Sequence, residues 1–207
     1  MSINTPVLLL VYNRPAHTKR VIDRLKNCGV ESLYVWADGP KSLLDRGKCA
    51  SVRRQVEESG LRIMNHHFSN KNLGCRQSVI GGISWFFEHV EEGIILEDDC
   101  LPNKSFFFFY KYLLGRYRNL QQVKMISGNN PLGEWSSEFA YHFSHIGHIW
   151  GWATWRDRWQ SFDPDLPGFE AFCASGGFQR LYGCTELAQN REQLTRSALS
   201  GELDTWD

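Results

Sequence analysis

The chain has 207 residues, with 23 basic and 23 acidic side chains and a formal net charge of zero. That length supports one domain with a full hydrophobic core, and the balanced charge offers no polyanion-binding surface, which sets nucleic acid aside as a partner. The cysteines, Cys28, Cys49, Cys75, Cys100, Cys173 and Cys184, are scattered with no close pair of zinc or redox type, so reduced, inert thiols in a cytoplasmic setting are expected.

Residues 6–12, Pro-Val-Leu-Leu-Leu-Val-Tyr, form a continuous apolar run of the kind seen in strands buried on both faces. Asn13-Arg14-Pro15 ends it. A helix is predicted next, because Val21, Ile22 and Leu25 recur at helical spacing among Arg and Lys, and Gly29 stops it. Residues 32–37, Ser-Leu-Tyr-Val-Trp-Ala, predict a second strand, closed by the turn signal Asp38-Gly39-Pro40. Residues 41–60 are polar, with a helix predicted over 50–58. A third strand begins at Leu61-Arg-Ile-Met64. After Asn72-Leu73-Gly74 a long helix is expected, with Val79, Ile80, Ile83, Phe86, Phe87 and Val90 on its apolar face. The fourth strand is Gly93-Ile-Ile-Leu96, and it runs into Glu97-Asp98-Asp99-Cys100.

Beyond Asp99 the pattern changes. Residues 106–117 predict an aromatic-rich helix and Met125-Ile-Ser-Gly128 a short strand. Residues 129–150 lack periodicity and read as a loop or hairpin. Trp150-Gly151-Trp152-Ala-Thr-Trp155 is expected to lead into a helix through Trp159. The remainder has helical propensity, interrupted at Gly176-Gly177. The ending Leu203-Asp204-Thr205-Trp206-Asp207 is rich in Trp and Asp, which suggests a chain shortened at its C-terminus. No signal peptide is visible at the start, and the longest apolar runs are far too short to span a bilayer. Membrane contact is therefore expected to be peripheral at most, at the inner face of the membrane.

Strands alternating with helices predict an α/β fold with a mixed, mostly parallel sheet flanked by helices on both sides. In such sheets ligands bind outside the carboxyl ends of the strands. Four chemically loaded segments fall at those ends: Asn13-Arg14, Asp38-Gly39, Asn72-Leu73-Gly74 and Glu97-Asp98-Asp99. Three adjacent carboxylates repel one another, by roughly 4 kcal/mol per contact at about 4 Å and an effective dielectric of about 20. A divalent cation relieves that repulsion, and an oxygen-rich set suits magnesium or manganese shared with substrate phosphates. Arg14 is a charge partner for phosphate. The helix start at Gly74 offers free amides, and Asp38 can accept from a base or a ribose. Together these suit a nucleoside diphosphate. Taken singly, Arg14 is a surface charge, Asp38 a turn former and Asn72 a helix cap. His142, His145 and His148 are spaced by three, but Gly147 and the neighbouring aromatics argue against a helix that would align them on a metal. Neither a nucleophile elbow nor a Walker phosphate loop is present.

In this order the pieces resemble nucleotide-diphospho-sugar transferases of the GT-A type, which have a Rossmann-like fold. The likeness runs from Pro6 to Trp159 and is greatest to bacterial sugar transferases akin to N-acetylglucosaminyltransferase I. It rests on Leu-Val-Tyr-Asn-Arg-Pro, Trp-Ala-Asp-Gly, Asn-Leu-Gly before the long helix, Ile-Ile-Leu-Glu-Asp-Asp-Cys, a Pro-x-x-x-Phe-Phe helix and Gly-Trp-Ala-Thr-Trp. The resemblance implies a single domain over residues 1–207. Its nucleotide-binding half would span about 1–100 and its sugar and acceptor half about 101–207. It further implies that Arg14 approaches the phosphates and Asp38 the base, that Asn72 and Gly74 line the nucleotide site, and that Glu97 touches the donor sugar. Asp98 would take the ribose, Asp99 a Mn2+ or Mg2+ ion, and the Gly151-Trp152 turn part of the sugar pocket. A Trp-Asp motif in related enzymes carries the catalytic base, which matches Asp207, with Asp204 second.

The implied activity is inverting transfer of a sugar from a nucleotide-diphospho-sugar, a uridine diphosphate sugar foremost, to a carbohydrate or lipid-linked hydroxyl in surface polysaccharide synthesis. Two alternatives stand beside it. One is a non-catalytic or inactive nucleotide-sugar binding module. The other is a sugar-phosphate nucleotidyltransferase, which needs a glycine-rich loop where Asn13-Arg14-Pro15 stands.

Overall fold

The computed structural model describes the chain except for residues 1, 132, 134–137 and 207. Four parallel strands build its centre: β1 (Val7–Val11), β2 (Leu33–Ala37), β3 (Ile63–Phe68) and β4 (Glu92–Glu97). The helices α1 (Pro15–Cys28), α2 (Leu43–Glu57) and α3 (Cys75–His89) connect them in turn. After β4 come α4 (Lys104–Tyr117), β5 (Ile126–Ser127) and β6 (Trp152–Trp155). β6 runs antiparallel to both β4 and β5, and the sheet order is β3-β2-β1-β4-β6-β5. Four more helices complete the described chain: α5 (Arg156–Trp159), α6 (Phe169–Ala174), α7 (Gly177–Tyr182) and α8 (Thr185–Ser200). The molecule is thus an α/β protein with a six-stranded, mostly parallel, Rossmann-like sheet.

The period-two alternation of a strand divides the core between two faces. Val7, Leu9 and Val11 of β1, with Ile94 and Leu96 of β4, face α1, α2 and α4 through Val21, Leu25, Val52, Val56, Phe107 and Leu114. Leu8 and Leu10, with Trp36 and Ile95, face α3 through Val79, Ile83, Phe86 and Phe87. Both faces of β1, β2 and the middle of β4 are buried, which is why those runs are apolar without interruption.

The structure refines two expectations. The helix predicted over 50–58 begins at Leu43, because Ser42 caps it: its Oγ accepts from the Asp45 amide at 3.3 Å and donates to Asp45 Oδ2 at 3.0 Å. The helix expected through Trp159 is present as α5, and the residues that lead into it, Trp-Ala-Thr-Trp at 152–155, form a strand; four residues are too few to reveal a period, and pairing with β4 decides it. His66 and His67 are exposed on the edge strand β3, and His67 stacks on Trp36 with ring centroids 4.2 Å apart. Among the described residues no helix is long and apolar enough to cross a membrane.

Candidate functional site

Because β1 to β4 are parallel, the segments after them meet at one edge of the sheet. Val11 pairs with Ala37 and Leu10 with Glu97, so the ends of β1, β2 and β4 stand in register. Arg14, just before α1, donates from Nη2 to Asp98 Oδ1 and from Nη1 to Asp99 Oδ2, the latter at 3.2 Å. Asp98 is 2% exposed, whereas Arg14 is 44% and Asp99 37% exposed. Burial pushes the Asp98 carboxyl above the usual carboxylate range, and the Arg14 guanidinium partly offsets that rise. The second oxygen, Asp98 Oδ2, is buried without a hydrogen-bond partner among the described residues. Glu97 closes β4 and is half-buried.

A second cluster joins the ends of β2 and β3. Asp38 is 5% exposed and accepts from the Gly39 amide at 2.8 Å, the Leu73 amide at 3.0 Å and Asn72 Nδ2 at 3.0 Å. Asn72 Nδ2 also donates to the Gly39 carbonyl at 2.9 Å. Asn72 is therefore a tie between two loops and not the helix cap considered from sequence. Burial raises the Asp38 carboxyl, against the lowering effect of these amides and that of Gly74. The loops approach so closely that a Cβ on Gly39 would stand 2.4 Å from the Lys71 backbone, which only glycine allows. Gly74 itself is the N-cap of α3, at φ +81° and ψ 170°. No side chain of its own can cap the helix, and Asp204 does so from a distance: Oδ2 accepts from the Cys75 amide at 2.8 Å and Oδ1 from the Arg76 amide at 2.9 Å. Asp204, a candidate base from sequence, has both oxygens engaged there. Asp207, the first candidate, lies outside the described residues.

Sequence reasoning missed two supporting residues. Asp45, in the first turn of α2, accepts from Asn13 Nδ2 at 2.9 Å and from the Tyr12 hydroxyl at 3.2 Å, and these bonds with Ser42 hold its carboxyl below the usual range. The Ser42-x-x-Asp45 spacing was the signal for it. Arg53 of α2 donates to the Asp38 carbonyl at 3.2 Å and to the Ser69 carbonyl, tying the ends of β2 and β3 to one guanidinium. No sequence pattern marks that role.

On the other side of β4 a cleft of about 1370 Å³ opens between α4, β5 and the segment before β6. Asp99 and Cys100 stand at one end, Gly151 lines it, and the side chains of His142, His145 and His148 reach it from the segment 139–150. Trp150, 67% exposed, is at its rim. Gly151 is anchored by its carbonyl, which accepts from the Tyr110 hydroxyl at 2.7 Å. Trp152 is buried at the start of β6. Burial pushes the Cys100 thiol up to about 12, which makes it an inert wall of the cleft.

The arrangement sets one half-exposed guanidinium, a charge partner for a phosphate group, beside Asp99, an exposed oxygen donor for a hard cation. Among the described residues no group of three or more His, Cys, Asp or Glu side chains could hold a metal ion by itself. A cation there would need oxygens from a ligand, which is how magnesium is commonly bound beside phosphates. No family model and no curated protein matches the chain.

Proposed function

We propose that the chain is a metal-dependent glycosyltransferase of the GT-A type. It moves a sugar from a nucleotide-diphospho-sugar, a uridine diphosphate sugar foremost, to a hydroxyl of a carbohydrate or lipid-linked acceptor, with inversion at the sugar carbon. The observation that supports this reading best is the meeting of Arg14 with Asp98 and Asp99 across the ends of β1 and β4, on the same sheet edge as the Asp38–Asn72 tie, with Asp99 also lining the cleft. A guanidinium beside a carboxylate pair suits a diphosphate that arrives with its cation.

In this reading the base and ribose lie along the Asp38 to Gly74 loops, with Asp98 on the ribose and Arg14 turned to the phosphates. Asp99 would hold Mn2+ or Mg2+; its half-exposed carboxylate at the cleft end fits a cation whose other oxygens come from the donor and from water. When bound, the cation offsets charge on the departing diphosphate. Glu97 and the Gly151-Trp152 turn orient the sugar, and the acceptor enters through the cleft. Asp207 takes the proton of the acceptor hydroxyl as the new carbon–oxygen bond forms, and the diphosphate leaves with the electron pair of the old one. Asp204, with both oxygens on α3, leaves that task to Asp207. Such chemistry suits polysaccharide assembly at the inner face of a membrane.

A nucleotidyltransferase would need a glycine-rich phosphate loop after β1. Here β1 passes through Tyr12, Asn13 and Arg14 directly to Pro15 at the first position of α1. The test is incubation of the protein with a panel of nucleotide sugars, Mn2+ and sugar acceptors. Release of nucleoside diphosphate is expected. Pyrophosphate formation would instead indicate a nucleotidyltransferase, and binding without release a non-catalytic module. In an active preparation, Asp207→Asn is expected to spare donor binding and remove transfer; retained turnover would take the base away from Asp207.

A further inference from the structure

The segment after α8 is tied to the beginning of α3, 129 residues earlier in the chain. Asp204 takes two of the amides that a helix leaves unsatisfied at its amino end. Arg76, the second residue of α3, directs its guanidinium to the carbonyls of Pro164, Ala198 and Thr205. The Leu203 amide donates to the Ser197 carbonyl at 3.0 Å, which turns the end of α8 into the same knot. Trp206 then stacks on Trp152 with ring centroids 5.6 Å apart and planes 20° from parallel. It also meets Trp159 edge-on at 6.2 Å. Trp152 pairs with Ile95 of β4, three residues before Asp98.

A helix start needs no such distant partner. A Ser, Thr, Asp or Asn at the N-cap ordinarily satisfies an amide of the second or third helical residue locally. Position 74 is instead a glycine, and a Cβ there would stand 2.8 Å from Asp204 Oδ2. The capping oxygen comes from a remote carboxylate, so the helix and the segment 203–206 are fixed to each other. The same short loop that receives Asp204 also supplies the Leu73 amide to Asp38.

We propose that Asp204 and Arg76 are positioning residues for sugar transfer, an inference that rests on the glycosyltransferase reading. Their clasp holds the segment 203–206 at the amino end of α3 and keeps Trp206 on Trp152, beside the end of β4. It sets the geometry of transfer without touching the donor, so its loss lowers kcat and leaves the KM for donor nearly unchanged.

The experiment pairs amide hydrogen exchange with steady-state kinetics on the full chain, using Mn2+ and the nucleotide sugar that the panel identifies. Asp204→Ala is expected to speed exchange at the Cys75 and Arg76 amides by about tenfold or more. It is expected to lower kcat by about tenfold or more while moving the donor KM by no more than about twofold. Asp204→Asn keeps one acceptor oxygen and should fall between the two. Arg76→Ala removes the other half of the clasp without taking the cap from α3, and should lower kcat in the same way. Faster exchange with unaltered kcat, or lower kcat with unaltered exchange, overturns the positioning role. Wild-type protein that turns over no nucleotide sugar ends the glycosyltransferase reading and this role with it. Wild-type turnover matched by both variants ends the role alone.

Discussion

Arg14 is the neighbour that keeps Asp98 from being a buried, uncompensated charge. The two residues are 84 positions apart and meet only because β1 and β4 are parallel partners. Asp98 is almost fully buried and Arg14 is not, so the pair is asymmetric: the carboxylate depends on the guanidinium more than the reverse.

Arg14→Ala is therefore expected to destabilise the fold by about 1–2 kcal/mol at neutral pH, discounted for the exposure of Arg14. The deficit should depend on pH. The Asp98 carboxyl is already raised in the folded protein, chiefly by burial, and Arg14 opposes that rise. Removing Arg14 raises it further. The deficit is complete above the variant's Asp98 pKa, shrinks as pH falls through it, and vanishes once Asp98 is protonated in both proteins. Urea denaturation of the two proteins between pH 7 and pH 4 checks this, and a deficit that grows toward acid would refute it.

Asp38→Ala should cost more than Arg14→Ala, because it strands donors from two loops at once. With Gly39, Leu73 and Asn72 losing their acceptor in a buried setting, about 2–4 kcal/mol is expected. Asn72→Ala removes one tie and leaves the amide bonds, so about 1 kcal/mol is expected. Chemical denaturation of both variants gives the order; an Asn72 effect larger than that of Asp38 would contradict the geometry.

Asp99→Ala is expected to leave the fold intact, since the side chain is half-exposed, and to remove metal-dependent nucleotide binding. Calorimetric titration with uridine diphosphate in the presence of Mn2+ should show affinity weakened by about a hundredfold or more, with little change when the metal is chelated. Titration curves that match those of the wild type would take the cation away from Asp99.

Gly74→Ala places a side chain at φ +81° and ψ 170°, a region that essentially only glycine occupies, and drives its Cβ into Asp204. A loss of about 1–3 kcal/mol is expected, together with faster amide exchange at Cys75. Thermal melts and exchange rates test the two halves separately. A variant as stable as the wild type would mean that the loop does not need this backbone conformation.

The buried strands were legible in the amino-acid order. Residues 7–11, 33–37 and 94–96 are apolar without interruption because helices cover both faces of those strands, and the polar residue that follows each run marks the edge where the chain leaves the core. The strand-end candidates Arg14, Asp38 and Asp98 follow from that reading alone. Position in the chain could not decide which of them touch. Asn72 has the look of a helix cap yet bonds to Asp38, since β2 and β3 bring their loops together. Asp204 has the look of a free acid yet caps a helix more than a hundred residues away, since Gly74 leaves the cap open. The four buried residues at 152–155 carry no period that separates strand from helix; the edge of β4 makes them a strand. Local order therefore settles which segments are buried and where they end, because burial is a property of short runs. Partnership between distant side chains belongs to the tertiary structure, because a hydrogen bond requires two groups in one place and sequence separation says nothing about that.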